Sequence, residues 1–357
     1  MLSAFEYIHK MTFQIPIISF ILFGLITGCS QNQKALQDDK TKRISVLIVD
    51  GQNNHAVWPK TTAMMKDYLE SSGLFSVDVA RTRLAWSGTV YPGERDPKEI
   101  DQLNGRYASD GVSWTEDPTI DPEFDPDFSK YQLIVSNFGF KAAAWPESTQ
   151  QNLEKFMKSG GGLVVVHAAN NSWPLWPAFN EMIGLGAWGD RDSTWGPYVY
   201  YDSLSMLQRN TAAGICGSHG PEYEFLIETR APEHPIMKGL PAKWLHARDE
   251  LYDRMRGPAE NMTVLATAYS DPVRNSPPWM EEVDGSGRHE PMLIAVEYGE
   301  GRIFHTTLGH MDYSMECVGF ITTLLRGAEW AATGKVTQEI PVDFPTADQV
   351  KVRAYAD

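Results

Sequence analysis

Short apolar segments that alternate with amphipathic helices constrain the fold of this chain more than any other feature. The first segment, residues 43–50 (RISVLIVD), is rich in β-branched residues, which favours a buried strand. Three further strands are predicted at 75–79, 131–136 and 163–166. Pro59 and Pro146 each stand where a helix can begin. This β-α-β-β-α-β order predicts a parallel sheet with helices on its faces.

The second half of the chain is less regular and ends in a long helix. Its strand candidates lie at 223–229, 262–268, 292–297 and 302–307. The last two are separated by a Glu-Gly pair, which is typical of a tight hairpin turn. The final helix is predicted over about 315–332. We therefore expect a folded domain over 43–334 and a polar tail, 335–357, on the surface.

The charge of the chain excludes several kinds of partner. Among 357 residues, 31 Lys and Arg stand against 46 Asp and Glu, which gives a formal net charge of −15. Nucleic acid and anionic lipid headgroups both attract basic surfaces, so we expect neither as a partner. Three cysteines are too few for a disulfide framework or a Cys-rich zinc module, and the sequence leaves open whether Cys216 and Cys317 pair.

An acidic insertion carries much of this charge. From Glu94 to Lys130 there are 11 acidic and 4 basic residues, a net charge of −7. Four of the acids alternate, at 121, 123, 125 and 127, and could suggest a calcium site. The EF-hand pattern with its glycine is absent, so we interpret the segment as a solvated loop anchored by Phe124 and Phe128.

An apolar segment near the N-terminus indicates where the protein is located. Residues 12–27 carry no charge and are fewer than the ~20 that a membrane-spanning helix needs. The LITGC sequence that ends at Cys29 resembles the lipobox of a bacterial lipoprotein signal. The resemblance implies a signal peptide over 1–28, a lipid on Cys29 and a polar tether over 29–42. Because Ser30 follows, it also implies a cell-envelope protein anchored in the outer membrane and facing the periplasm or the surface.

Polar side chains follow the first and fourth predicted strands. His55 lies in the loop after the first strand, and His167, Asn170 and Asn171 follow the fourth. The ligand crevice of an open parallel sheet lies past the carboxyl ends of its strands, so these residues are candidate site residues. Three tryptophans are close by in the sequence: Trp58, Trp173 and Trp176. Amide and imidazole groups beside aromatic faces suit a sugar, although Asn also favours ordinary turns.

Seven of the nine histidines lie from His167 onward, together with several carboxylates. Beyond the residues already named, the candidates are His219, Asp249, Glu250, His289, Glu290 and His310. Such a set can bind Zn or Fe, or supply an acid and a base, if the fold brings its members together. No H-E-x-x-H spacing occurs, so no cofactor is assigned and a divalent metal stays open. His234 precedes a proline and is predicted in a loop, whereas His305 is predicted to pack inside a strand.

Several common chemistries lack their motifs. No G-x-G-x-x-G follows the first strand, and the chain has neither a P-loop nor a G-x-S-x-G elbow. We therefore do not expect a Rossmann-type dehydrogenase, a P-loop NTPase or a serine hydrolase.

Several segments together resemble the trehalose-utilisation, or ThuA-like, family. They are His167-Ala-Ala-Asn-Asn through Trp176 and Ile183-Gly184, His234-Pro235 with Gly239-Leu240-Pro241, Asp249-Glu250-Leu251-Tyr252, Gly299 to Arg302 with Leu308-Gly309-His310, and Glu329 to Gly334. The resemblance covers about 43–334. It implies an α/β, flavodoxin-like three-layer sandwich resembling class I glutamine amidotransferases. Those enzymes place a nucleophilic Cys after a central strand; here that strand ends at His167, so glutaminase chemistry is not expected.

The resemblance also implies a link to carbohydrate catabolism, alongside sugar oxidoreductases that make keto-sugars. Our first hypothesis is an enzyme that acts on a saccharide or keto-sugar by hydrolysis, elimination or isomerisation. In it, His167 and the Asp249-Glu250 pair are acid and base, and the remaining candidates bind the substrate or a metal. The alternatives are a lipid-anchored carbohydrate-binding protein without catalysis, and a structural or partner-binding surface lipoprotein.

Overall fold

Twelve strands form one mixed sheet in the part of the chain that the computed structural model describes, residues 43–88, 96–108 and 111–356. The strands are β1 (Ile44–Gln52), β2 (Phe75–Trp86), β3 (Ser113–Trp114), β4 (Leu133–Ser136), β5 (Gly162–Val166), β6 (Tyr198–Tyr201), β7 (Leu207–Asn210), β8 (Tyr223–Thr229), β9 (Lys243–Asp249), β10 (Met262–Tyr269), β11 (His289–Tyr298) and β12 (Gly301–Thr306). The α-helices are α1 (Trp58–Ser71), α2 (Pro97–Tyr107), α3 (Glu147–Lys158), α4 (Pro177–Ile183), α5 (Asp312–Met315) and α6 (Val318–Thr333). The expected signal peptide, Cys29 and the tether lie outside the described residues.

The strand order confirms the predicted fold class. The sheet runs β3-β2-β1-β4-β5-β12-β11-β10-β8-β9, and β6 pairs with β11 and β7. From β3 to β12 all neighbours are parallel, whereas β11, β10, β8 and β9 continue the sheet as antiparallel strands. The order β2-β1-β4-β5-β12 is that of a flavodoxin-like sheet. The last strand of the chain, β12, therefore lies in the middle of the sheet.

The two faces of the sheet are buried by different helices. Successive side chains of a strand point to opposite faces, so Val46 and Ile48 belong to one core and Leu47 and Val49 to the other. The first core includes apolar side chains of α1 and α6, and the second includes those of α3 and α4. Burial on both faces explains the continuous apolar sequence of β1. The result is the predicted three-layer sandwich.

Some elements were not predicted from the sequence. They are α2 and β3 in the acidic insertion, the β6–β7 hairpin, α4, α5 and β9. The acidic insertion is anchored as expected, because Phe124 and Phe128 are both buried. After α6, residues 335–356 contain no helix or longer strand, and Phe344 packs 5.6 Å from the ring of Trp244.

Two further features concern the cysteines and the length of the helices. Cys216 and Cys317 are both buried and both free. Within the described ranges, no helix has the length and apolar character needed to cross a bilayer.

Candidate functional site

Four buried side chains converge past the carboxyl ends of the sheet. His55 follows β1, His167 follows β5, Glu250 follows β9 and His310 follows β12. One ligand atom from each lies within 4.8 Å of the others. The strand ends of a parallel sheet meet at one edge, which is why residues so distant in sequence come together. We call these four residues the His–Glu centre.

His167 has an unusual backbone conformation. It begins a 3-10 turn directly after β5, with φ of +47°, a left-handed value that is rare for a residue other than glycine. Its Nδ1 donates a hydrogen bond of 2.6 Å to the carbonyl oxygen of Thr307, and the hydroxyl of Tyr252 donates to Nε2 at 2.8 Å. Nδ1 therefore carries a proton, and in the neutral ring the lone pair is on Nε2. Strain of this kind is typical of functional positions.

Glu250 is the negative charge of the centre. Its Oε1 lies 3.4 Å from Nδ1 of His219 and 3.4 Å from Nε2 of His310. Its Oε2 lies 3.5 Å from Nε2 of His167 and accepts no hydrogen bond of normal geometry from the described residues. Burial alone raises the pKa of this carboxyl, but His219, His310 and His167 outweigh burial and hold the pKa well below its ordinary value. Glu250 is therefore ionised.

His310 and His55 face each other. Nε2 of His310 lies 2.9 Å from Nδ1 of His55, and Nδ1 of His310 lies 2.7 Å from the Glu222 carboxylate. Burial lowers the pKa of His310, but Glu250 and Glu222 outweigh it and raise the pKa to about 9. Burial, together with His310 and His167, holds the pKa of His55 well below its ordinary value. The two rings thus differ in charge at neutral pH.

The exposed side of the centre is aromatic. Nδ1 of His219 donates to the carbonyl oxygen of Gly220 at 2.9 Å, and its ring lies 4.6 Å from that of Trp279. Trp279 is 56 % exposed, and Trp188 flanks His219 at 5.7 Å. Burial lowers the pKa of His219, so the ring is neutral at neutral pH. An exposed aromatic ring therefore lies against His219, whose Nδ1 is 3.4 Å from Glu250.

Asp249 supports the centre rather than facing it. Its Oδ2 lies 2.8 Å from Nε2 of His246 and accepts from the backbone N–H of Gly309 at 2.7 Å. Its Oδ1 accepts from the backbone N–H groups of Glu250 and His310, at 2.9 and 3.0 Å. Gly309, with φ of +101°, allows the chain to turn there. The acid or base role that we expected for Asp249 does not fit, because both of its oxygens are engaged.

The two asparagines after β5 point into the protein. Nδ2 of Asn170 lies 3.0 Å from Nε2 of His305, which packs inside β12 as predicted. Nδ2 of Asn171 donates to the Tyr252 hydroxyl at 3.5 Å. These asparagines therefore pack around the centre, and they do not offer the exposed amides that we expected for a substrate.

The three tryptophans named from the sequence need a correction. Trp58, Trp173 and Trp176 are only 1 %, 6 % and 6 % exposed. Trp173 packs 4.7 Å from the ring of Trp145 and donates its N–H to the carbonyl oxygen of Ala143. They cannot present a face to a sugar, because that face is already covered by protein. Trp279, at 56 %, is the most exposed of the described aromatic residues at this site.

His289 and Glu290 lie on β11 with other partners. The ring of His289 is 5.3 Å from that of Tyr269, and Glu290 pairs with Arg288 at 3.2 Å. Burial, opposed by Arg288 and reinforced by Asp253, raises the pKa of Glu290 to about 7. The contacts of these two residues are thus with β10 and neighbouring loops, not with the His–Glu centre.

Several residues of the site were not selected from the sequence. Glu222, Trp188, Trp279 and Tyr313 stand in irregular loops or at a short helix, and no motif marks them. Tyr252 belongs to the Asp-Glu-Leu-Tyr segment, but its hydroxyl had been given no role. Only the folded chain shows that Glu222 accepts from both His310 and Tyr313.

A small cavity lies against the histidines. It has a volume of about 10 Å³ and is lined by Asn53, His55, Val57, Trp58, Thr61, Asn137, Val166, His167, Ala168, Gly309 and His310. This space suits one water molecule or one ion. A sugar ring is too large for this cavity.

The fold and the centre define an α/β protein of the flavodoxin-like type with a buried histidine–carboxylate site in place of a nucleophilic cysteine. The model of the ThuA family, described as trehalose utilisation, matches residues 45–331. The chain therefore belongs to the ThuA family, as the sequence motifs indicated.

One solved structure supports this relationship, and a second shows only a weaker similarity. A ThuA-like protein from Parabacteroides merdae is 41 % identical, with a TM-score of 0.70 over 87 % of this chain and 98 % of that one. A ThuA-like protein from Bacteroides uniformis is 18 % identical, with a TM-score of 0.49 over 84 % of this chain and 94 % of that one. Comparison with the curated proteins found no match.

Proposed function

We propose that this protein is an enzyme that acts on a saccharide, and in particular on a keto-sugar, by removing a proton at the His–Glu centre. The observation that supports this proposal most is the orientation and tautomer of the His167 ring. Its Nδ1 proton is held by Thr307, its Nε2 keeps a lone pair, and the ionised carboxylate of Glu250 lies 3.5 Å away. An imidazole of this kind can accept a proton, and the neighbouring carboxylate stabilises the imidazolium that forms.

A keto-sugar suits this chemistry because the hydrogen on the carbon beside its carbonyl is acidic. The C–H bond breaks, the proton moves to Nε2 of His167, and the electron pair moves to the carbonyl oxygen as an enolate. The side of the centre formed by His310, which Glu222 directs inward, would supply positive charge at that oxygen, carried by the ring or, as inferred below, by an ion that the ring binds. In an elimination, the substituent on the next carbon leaves as an alcohol that takes up the proton held by His167, and a C=C double bond forms beside the restored carbonyl group. In an isomerisation, the enolate oxygen is protonated, the hydroxyl on the deprotonated carbon gives up its proton to become the new carbonyl, and the former carbonyl carbon takes up a proton.

The substrate class is suggested by the exposed aromatic ring that contacts His219. Trp279 offers an exposed ring beside His219, and aromatic rings stack on the C–H faces of sugars. The family description, trehalose utilisation, points to the same class. We therefore propose that the sugar lies against Trp279 with its carbonyl directed at the centre.

Hydrogen exchange tests this proposal directly. The purified protein is incubated in D₂O with keto-glucosides and, in parallel, with trehalose, and the sugars are analysed by mass spectrometry and NMR. We expect deuterium beside the carbonyl or a new product from a keto-glucoside, and neither from His167→Ala. Saturable sugar binding without exchange or product would instead support the carbohydrate-binding alternative. If His167→Ala and Glu250→Gln both turned over the sugar as fast as the unaltered protein, His167 would not be the base and Glu250 would not stabilise it.

A further inference from the structure

We infer that His55, Glu250 and His310 bind one divalent transition-metal ion beside His167. The role of such an ion in catalysis rests on the proposed function, whereas its binding does not. The assignment follows from the distances, the surrounding hydrogen bonds and a buried carboxylate oxygen that accepts no hydrogen bond from the described residues.

The three ligand atoms are already close together. Nδ1 of His55 and Nε2 of His310 are 2.9 Å apart, and Nε2 of His310 is 3.4 Å from Oε1 of Glu250. With metal bonds of 2.0–2.1 Å, tetrahedral ligand atoms lie about 3.3 Å apart. The two rings need to separate by only a few tenths of an ångström to admit an ion. The adjoining cavity of about 10 Å³ has room for that ion or for its bound water.

His310 is oriented as metal-bound histidines usually are. Its Nδ1 donates to the Glu222 carboxylate at 2.7 Å, which directs Nε2 at the centre. Glu222 is held in turn by the Tyr313 hydroxyl at 2.6 Å and by Arg248. A carboxylate behind the ligating histidine fixes the ring and raises its basicity. The backbone of His310 is fixed as well, by Asp249.

The carboxylate of Glu250 provides an independent indication. It is 6 % exposed, and its Oε2 accepts no hydrogen bond from the described residues. A buried carboxylate oxygen of this kind is costly unless it is hydrogen-bonded or coordinates a metal. Two imidazoles and one carboxylate suit Zn²⁺, Fe²⁺, Mn²⁺ or Co²⁺ and leave positions open for a substrate oxygen.

His167 is the fourth member of the centre but not a ligand in this assignment. Its Nε2 already accepts the Tyr252 hydroxyl at 2.8 Å. It therefore remains available as a base, while the ion polarises the carbonyl oxygen of the substrate. This division of roles separates His167 from the three ligands in the experiment below.

Asn54 offers a second test. Its Nδ2 lies 3.0 Å from Nε2 of His55, and its Oδ1 accepts the backbone N–H of Phe140 at 2.7 Å. When Nδ1 of His55 binds a metal, its Nε2 carries the proton and needs a hydrogen-bond acceptor. The amide nitrogen of Asn54 cannot accept that bond. In Asn54→Asp, one carboxylate oxygen can accept from Nε2 of His55 and the other from the N–H of Phe140. We expect it to tighten metal binding by about tenfold, as such partners do in other sites.

Metal binding is measured on the full-length protein after removal of bound metals with a chelator. Calorimetry with Zn²⁺ and Mn²⁺, and the absorption spectrum of the Co²⁺ form, report binding without reference to activity. We expect one ion per chain, and a loss of affinity of at least about 100-fold in His55→Ala, Glu250→Gln and His310→Gln. His167→Ala and the control His234→Ala, outside the centre, are expected to bind within about threefold of the unaltered protein. Circular dichroism verifies that each variant is folded.

The outcomes are distinct. The three-ligand site is overturned if no ion binds stoichiometrically. It is also overturned if His167→Ala loses as much affinity as the three ligand variants, or if Asn54→Asp binds the metal more weakly than the unaltered protein. Stoichiometric binding with the expected variant pattern supports the site even if no sugar is turned over, in which case only the proposed function fails. Turnover by a protein that binds no metal leaves the proposed function standing and overturns this inference.

Discussion

The hydroxyl of Tyr252 lies 2.8 Å from Nε2 of His167, 85 positions away in the chain, and donates a hydrogen bond to it. On the opposite side of the ring, Nδ1 donates to Thr307. The imidazole is thus held between two partners in one tautomer. When a substrate binds, only the hydrogen bond from Tyr252 has to be given up. Loss of the Tyr252 hydroxyl should therefore lower kcat much less than loss of the His167 ring.

His167→Ala should lower kcat by about 10²–10⁴-fold, the usual contribution of a general base. Tyr252→Phe should cost only about tenfold, because the Thr307 carbonyl still orients the ring. Steady-state kinetics on a keto-glucoside measures both. Equal losses in the two variants would mean that His167 acts through its packing and not as the base.

Trp279→Ala should weaken sugar binding by about fivefold, which corresponds to the ~1 kcal/mol typical of one aromatic contact. KM or the dissociation constant should change while kcat stays nearly the same, because the ring contacts the sugar away from the reacting carbon. Trp114, also exposed at 41 %, lies on β3 and provides a matched control in Trp114→Ala. An identical effect of both substitutions would contradict a sugar platform at Trp279.

Asp249→Asn should lower the free energy of unfolding by about 3–5 kcal/mol, as loss of one partner of a buried ion pair does. Asp249 is fully buried, and its contacts with His246 and Gly309 join β9 to the loop after β12. Urea denaturation measures the change, with the exposed Asp192→Asn as the control. A stable Asp249→Asn protein that had lost only its activity would restore the catalytic role first expected for this residue.

Glu290→Gln should stabilise the protein at high pH relative to the unaltered chain. The pKa of Glu290 is raised to about 7 in the folded state, so the carboxyl is protonated in both states below its ordinary pKa. Between the ordinary pKa and about 7 the unfolded state loses this proton while the folded state keeps it, so stability falls across this range, and above 7 the folded state buries a charge. The gain in Glu290→Gln should therefore grow to roughly 1–3 kcal/mol above pH 7. Denaturation at several pH values tests this; a gain that did not depend on pH would contradict it.

Cys29→Ala should abolish lipid attachment in bacterial cells. The lipobox-like LITGC sequence predicts that the mature chain begins at Cys29 with a lipid on its sulfur. Labelling with a fatty-acid analogue and fractionation of membranes measure the anchor, and Cys317→Ala, a buried thiol, is the control. A label retained after Cys29→Ala would reject the lipoprotein interpretation.

The parallel half of the fold, apart from the short exposed β3, was predictable because the sequence of each strand indicates its burial. The apolar sequence of β1 and the helix after Pro59 need no distant information, and the family motifs supply the rest. By contrast, β9 (KWLHARD) begins with a lysine and ends in charged residues, so its partners β8 and the tail decide that it is a strand. Such tertiary effects override local propensity.

The site was predictable only in part, for a similar reason. Placing His55 and His167 at strand ends follows from the topology, but whether a tryptophan near them is exposed depends on packing from α3 and α4. Trp173 and Trp176 were judged by their nearness in sequence, whereas Trp279 lies far along the chain in a loop without a motif. The roles of Glu222 and Tyr252 depend on side-chain contacts that no spacing encodes.

The central position of β12 in the sheet affects how the protein can fold while it is being synthesised. His55 and His310 meet across 255 positions, and β12 must insert between β5 and β11 before they can do so. While the chain is being synthesised, β5 has an unpaired edge until the closing hairpin has emerged, and open edges of this kind invite aggregation. Pairing between such distant segments is also slow. A ribosome-bound or prematurely terminated chain thus has neither a finished sheet nor the histidine that completes the cluster.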